Sequence, residues 1–197
     1  MVELQHGQEP AELSVFRAAY PAAQVPLFED GAFQPAKLAA KAALNSLQGG
    51  LCVYCEQPVT STGGQLEHIK PKRGAHARQD LCFVYSNYAQ SCNHPRGTTC
   101  GQKKGDERLP IEPAPGCNVH WTLSTDGTID RIRVENSPWP AEAEATLALL
   151  GLNDDSDLVD RRRDWFRSLL EVMRTDPRGL SNFLQSAPYR YILAASI

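Results

Sequence analysis

The sequence predicts an α+β protein: a small cysteine-rich centre with short strands, helices on either side of it, and an extra β-hairpin. Three observations predict this. Apolar residues recur at helical spacing toward both ends of the chain. Between residues 51 and 110 the character changes to short β-type runs, turn residues and most of the cysteines and histidines. Beyond residue 119 a Thr125-Asp126-Gly127 turn separates two alternating runs, the pattern of a hairpin. At 197 residues and 42% hydrophobic composition the chain can bury a real core. We expect a helical segment over 1–49, the cysteine-rich centre over 50–110, and the hairpin with further helices over 111–197, packed together as one unit.

PAELSVFRAAY and PAKLAAKAALNSLQ read as two helices, the second with Ala40, Leu44 and Leu47 on one face and a stop at Gly49-Gly50. LCVY and LCFVY read as short β-type runs of the centre. VHWTLSTDGTIDRIRVE gives the hairpin, and the proline-flanked NSPWP links it to a helix over 141–150 that ends at Gly151. The helix over 157–174 is amphipathic, with Leu158, Trp165, Leu169 and Met173 on one face and Arg161, Arg162 and Arg163 on a solvated one. APYRYILAASI closes the chain as a short helix.

No run approaches the roughly 20 apolar residues that a membrane span needs, and the first residues lack the charged-then-apolar layout of a secretory signal. A cytoplasmic protein without a membrane partner is expected. In a reducing compartment clustered thiols serve as metal ligands in preference to disulfides. Net charge is −3, but residues 67–108 hold eight Lys or Arg against four Asp or Glu, a local +4 that favours one polyanion site.

Cys52-x-x-Cys55 lets one tight turn present two thiolates, and Cys92 and Cys100 supply two more, with the seven residues NHPRGTT between them. Four such thiolates suit a structural Zn²⁺ whose binding contributes on the order of 10 kcal/mol or more to folding. Cys82, inside LCFVY, reads as a small core residue, and the role of Cys117 stays open. Between the pairs stands QLEHIKPK. His68 suits a general base, because imidazole is largely neutral at cellular pH, and Glu67 is a hard oxygen ligand suited to Mg²⁺ or Mn²⁺. Neighbours on a strand point to opposite faces, so the two can share a phosphate only where the strand twists, bulges or ends.

CVYCE, LEHIKPK, YSNYAQSC and CGQKKG, in this order, resemble the HNH nuclease pattern. More narrowly, with the later LGLN and an arginine-rich helix, they are similar to the HNH component (PtuB-like) of Septu-type and retron-associated anti-phage defence systems. The motifs cover residues 50–106 well and the carboxy-terminal part more loosely. The resemblance implies a ββα-metal (HNH, His-Me finger) core and metal-dependent cleavage of phosphodiester bonds in DNA, by an effector working with an ATPase partner. It implies His68 as base, Glu67 on the catalytic ion, and Asn87, in a loop after the second strand, fastening the loop that orients His68. Lys70, Lys72, Lys103 and Lys104 would bind flanking phosphates. The family's pattern places Asn or His directly after the last cysteine, where this chain has Gly101. Gln102 is the expected second ligand from the same helix, with Asp106, Asn93 and His94 as alternatives. A second reading is a zinc-stapled nucleic-acid- or protein-binding module without hydrolysis. The helices at 141–150 and 157–174, with Trp165 and Phe166 adjacent, are the expected surface for an ATPase or a second copy of the chain.

Overall fold

The computed structural model describes residues 1–132 and 141–197. Seven helices are described: α1 (Ala11–Ala19), α2 (Gln34–Leu47), α3 (Cys100–Lys104), α4 (Ala141–Leu150), α5 (Ser156–Thr175), α6 (Leu180–Ser186) and α7 (Arg190–Ala194). Four strands are described: β1 (Gln65–His68), β2 (Tyr88–Ser91), β3 (Trp121–Leu123) and β4 (Ile129–Arg131). The strands form two separate antiparallel pairs. β1 lies against β2 in the register Glu67↔Ala89 and His68↔Tyr88, and β3 lies against β4 with Leu123 opposite Ile129. Mixed helix and small sheets are therefore the observed class. No described helix is long and apolar enough to cross a membrane.

α2 forms because Pro35 opens its first turn and alanines and leucines with high helix propensity follow. Its buried stripe is Ala36, Ala40 and Leu44, one residue every four, while Leu47 is 41% exposed and leaves the expected face. α5 starts at a true cap, where the Asp155 carboxylate accepts the Leu158 N–H at 2.9 Å. Its buried stripe is Leu158, Arg162, Phe166 and Leu169. This corrects two expectations. Phe166 rather than Trp165 faces the core, and Trp165 packs half-buried against Phe183. Arg162 is also not on the solvated face: it is 1% exposed, and its guanidinium donates to the Gly127 carbonyl at 2.9 Å and to Asn153 Oδ1 at 3.1 Å. The arginine thus ties α5 to the turn of the second hairpin, where Gly127 adopts φ 92 and a side chain would strike the α5 backbone.

LCFVY is not a strand. It spans two 3-10 turns, Gln79–Leu81 and Tyr85–Asn87, with Cys82, Phe83 and Tyr85 all buried. LCVY holds only a single bridge, Leu51 to Pro58, at the edge of the cysteine turn. A continuous apolar run signals burial on every side, and a compact turn satisfies that as well as a strand does. The link NSPWP and the end of the expected hairpin run lie outside the described residues.

Two buried clusters share the β1–β2 hairpin as a wall. One contains residues Met1 to Leu4, the cysteine turn, the β3–β4 pair and helices α4, α5 and α7, and it takes Ile69 and Ala89 from the hairpin region. The other contains α1, the 3-10 turns at 25–33 and α2, and it takes Leu66 and Tyr88. The two-residue period of a strand sends alternate side chains to opposite faces, so one short hairpin serves both.

Candidate functional site

The four expected thiols converge. The Cys52–Cys55 turn is closed by the Glu56 N–H on the Cys52 carbonyl at 3.0 Å and by the Cys52 N–H on the Gln57 carbonyl at 2.8 Å. Cys92 follows β2 directly, and Cys100 opens α3. Cys52 Sγ lies 3.8 Å from Cys100 Sγ, Cys55 Sγ lies 3.8 Å from Cys92 Sγ, and all four sulfurs are within 4.8 Å of one another. A tetrahedral ion bound at about 2.3 Å sets its sulfurs about 3.8 Å apart, so the cluster fits Zn²⁺. The Cys92 N–H points at Cys52 Sγ at 3.3 Å, the kind of backbone donor that supports a metal-bound thiolate. The long spacer between Cys92 and Cys100 also has a physical reason. It reaches across to the start of α5, where His94 Nε2 and Arg96 Nη2 meet the Asp155 carboxylate at 3.0 and 2.9 Å. Cys82 and Cys117 are buried elsewhere in the cores.

Glu67 and His68 line one cavity of about 390 Å³, together with Lys72 and Lys104. β1 ends at His68, which is how chain neighbours come to share a space. His68 Nε2 faces the Cys82 carbonyl at 3.0 Å. A carbonyl only accepts, so this nitrogen carries the ring proton, and Nδ1 keeps its lone pair. Nδ1 lies 3.4 Å from Lys72 Nζ. Burial first, and the Lys72 charge second, push the His68 pKa down to about 3, leaving a neutral ring. Phe28, with its ring centroid 4.5 Å away, and Tyr88, edge-on at 5.2 Å, fix the imidazole plane.

Asn87 brackets the loop after His68. Its Oδ1 accepts the Lys70 N–H at 2.8 Å, and its Nδ2 donates to the carbonyls of Lys70 at 3.0 Å and Leu81 at 3.3 Å. It stands before β2, in the β1–β2 connection, which corrects the expected position after the second strand.

Glu67 is buried and fully partnered. Oε1 accepts from Lys104 Nζ at 2.8 Å and from the Tyr54 hydroxyl at 3.3 Å, and Oε2 accepts from Gln65 Nε2 at 3.2 Å. Burial raises its pKa, while the Lys104 charge and hydrogen bond pull the other way. A Cβ at Gly101 would lie 2.6 Å from Gln65 Nε2 and closer still to Glu67 Oε2, so the carboxylate fills the space that a side chain at 101 would need. The carboxylates on the cavity wall are Glu67, Glu29 and Asp106.

Three expected residues are not brought to this cavity. Gln102 turns to the spacer, where its Oε1 accepts the His94 N–H at 2.6 Å. Lys103 pairs with Asp154 at the entrance to α5. Lys70 stands 3.7 Å from Glu112 and lines a different pocket. Lys104 is at the cavity but only 2% exposed, and it donates to Glu67, to the His68 carbonyl at 3.0 Å and to the Gly105 carbonyl at 3.4 Å, so it holds β1 to α3 instead of reaching into solvent. Sequence reasoning missed one entire wall, formed by Phe28, Glu29, Lys37 and Lys41 from α2 and the turn before it. It also missed Tyr54, although that residue sits inside the cysteine pair itself.

No family model matches the chain. It is 38% identical over 200 residues, covering 98% of each chain, to a protein of Vibrio cholerae serotype O1 biovar El Tor named "Retron Vc95 putative HNH endonuclease".

Proposed function

Because the chain belongs to the HNH endonuclease family of retron-associated defence, we propose that it is a metal-dependent endonuclease that hydrolyses phosphodiester bonds in DNA. In this reading β1, β2 and α3 form the ββα-metal unit, the four thiolates hold a structural Zn²⁺, and the cavity beside Glu67 and His68 receives the scissile phosphate. The observation that carries it is the His68 ring. It is neutral, oriented by the Cys82 carbonyl through Nε2, and turns the Nδ1 lone pair toward Lys72 Nζ, 3.4 Å away in the cavity. A phosphate entering the cavity draws off the Lys72 ammonium, which frees Nδ1 and relieves one of the two causes that hold its pKa down, so that the ring takes a proton from an attacking water. Asn87 acts as a positioning residue by pinning the loop that follows the base.

A Mg²⁺ or Mn²⁺ held by Glu67 and Asp106, with water completing its shell, would supply charge neutralisation on the phosphate. Asp106 takes the part first given to Gln102, since it lines the cavity and Gln102 does not. Lys104 shares the Glu67 carboxylate and limits how much of it an ion can use. As effector the chain works beside an ATPase subunit of an anti-phage defence system in the cytoplasm. The resemblance noted in the motifs supports this partner.

The deciding experiment is plasmid nicking by wild type and His68→Ala, with zinc content measured on both and EDTA-treated samples restored with Mg²⁺ or Mn²⁺. The ATPase is included, and RNA is assayed in parallel. Loss of cleavage in His68→Ala at unchanged zinc content supports the reading. Retained cleavage removes His68 as base. Binding without cleavage by the complete complex favours the zinc-stapled binding module, whose structural motive is the lack of a ligand at Gly101.

A further inference from the structure

A second pocket, about 340 Å³, lies on the far side of the loop that follows His68 and is lined by Lys70, Ala75, His76, Ala77, Arg78 and Arg108. Four of these six side chains are basic, and no acid lines it. Two of the lining cations have carboxylate partners outside the lining: Asp80 makes two hydrogen bonds with Arg78, at 2.9 and 2.6 Å, and Glu112 stands 3.7 Å from Lys70. His76 and Arg108 are exposed and have no hydrogen bond or ion pair among the described residues. Arg108 is the unpaired permanent cation of this lining, Lys70 and Arg78 share theirs with carboxylates outside it, and a concave site so lined favours an anion. Arginine's planar fork suits phosphate oxygens in particular.

The pocket's position indicates which phosphate. The loop is a closed unit, with the Arg78 N–H on the Pro71 carbonyl at 2.7 Å and the Ala77 N–H on the Gly74 carbonyl at 3.3 Å. Its base is fixed by Asn87 on both sides of the Lys70 peptide. Pro71 and Lys72 line the His68 cavity, and Lys70 lines this second pocket. Two residues of chain span at most about 7 Å, so Lys70 and Lys72, one in each pocket, stand close enough for a single nucleic-acid strand to reach both.

We propose that Lys70, His76, Arg78 and Arg108 form a second phosphate-binding site, which holds a backbone phosphate of the polynucleotide flanking the one at His68. The inference rests on the nuclease reading for its ligand class. It assigns substrate grip to Lys70 and Arg108 and removes Lys103 and Lys104 from that role.

The test is equilibrium binding of a short fluorescein-labelled DNA duplex, and of an RNA hairpin of like length, to full-length His68→Ala protein, which leaves the probes uncut. Arg108→Gln and the Lys70→Gln/Arg108→Gln double variant are added to that background. Arg174→Gln on α5, where the arginine pairs with Glu171, is the charge-matched control. The double variant should weaken binding of at least one polymer about tenfold at moderate salt, and the log–log salt slope should become shallower by about one for the single and two for the double variant. Unchanged affinity and slope for both polymers, a loss equal to that of the Arg174 control, or no binding of either polymer to the parent overturns the site. The two readings fail separately. A complete complex that cuts nothing, with a chain that shows the predicted binding loss, retires the nuclease and keeps the site; a complex that cuts while the binding is unmoved does the reverse.

Discussion

Gly101 shows how a single residue records its neighbours. The family's pattern offers a ligand there, and the glycine looks like a loss. The structure supplies the reason in the Glu67 carboxylate and the Gln65 amide, which occupy the volume where a Cβ would be. Gly101→Ala therefore has no room without moving the buried Glu67 carboxylate or the half-buried Gln65 amide. We expect it to reduce cleavage at least tenfold with zinc content unchanged, because the displaced group is Glu67 and not a thiolate. Cleavage and binding constants beside metal analysis check this, and an alanine variant with wild-type rates would contradict it. Glu67 and His68 were singled out by residue type alone, and the structure brings both to one cavity. Lys104 was misread for a physical reason: its charge suggested solvent and phosphate, whereas a lysine with a carboxylate and two carbonyls as acceptors can be buried at 2% exposure.

At the scale of elements, α5 separates what periodicity can reveal from what it cannot. The pattern gave a helix within two residues of its actual ends, because charge and apolar residues alternate at 3.6 spacing. It put the wrong aromatic inside, because Arg162 was counted as polar and so turned the calculated face. The buried guanidinium has hydrogen bonds to Gly127 and Asn153 and belongs to the packed side. The exposed apolar residues left on this helix are Leu170, 44% exposed, and Met173, 38% exposed. If the helix docks an ATPase, Leu170→Asp with Met173→Asp should reduce co-purification several-fold and leave the thermal midpoint within a few degrees, as solvent-facing substitutions generally do. Phe166→Asp is the wrong probe, since it would place a charge in the core. Undiminished co-purification of the double variant would place the partner elsewhere. The wall built by Phe28, Lys37 and Lys41 was invisible to motif reading. Those residues belong to packing elements whose place beside His68 is decided only when the second core forms.

For the whole molecule, the sulfur cluster joins residues 52, 55, 92 and 100, so an ion held there would close loops that a small core would otherwise have to hold. Removing it with a strong chelator at neutral pH should lower the thermal midpoint by more than about 10 °C and abolish cleavage in step with zinc loss. Metal analysis against circular dichroism on the same samples checks this, and a zinc-free chain that melts as before would show the cluster to be dispensable. The convergence of the four thiols was the most legible feature of all, because cysteine spacing survives in sequence whatever the intervening loops do. The partition into two cores was not, since nothing in a short strand announces that both of its faces will be covered.

The hairpin that carries Glu67 and His68 is a party wall: Leu66 and Tyr88 belong to one room, and Ile69 and Ala89 to the other. Sliding the rooms past each other by even a fraction of a side chain would skew the imidazole against its carbonyl anchor before either interior came apart. If the chain cleaves as proposed, its chemistry answers for the alignment of the entire building, and a partner that shifts one room would silence it without ever touching the cavity.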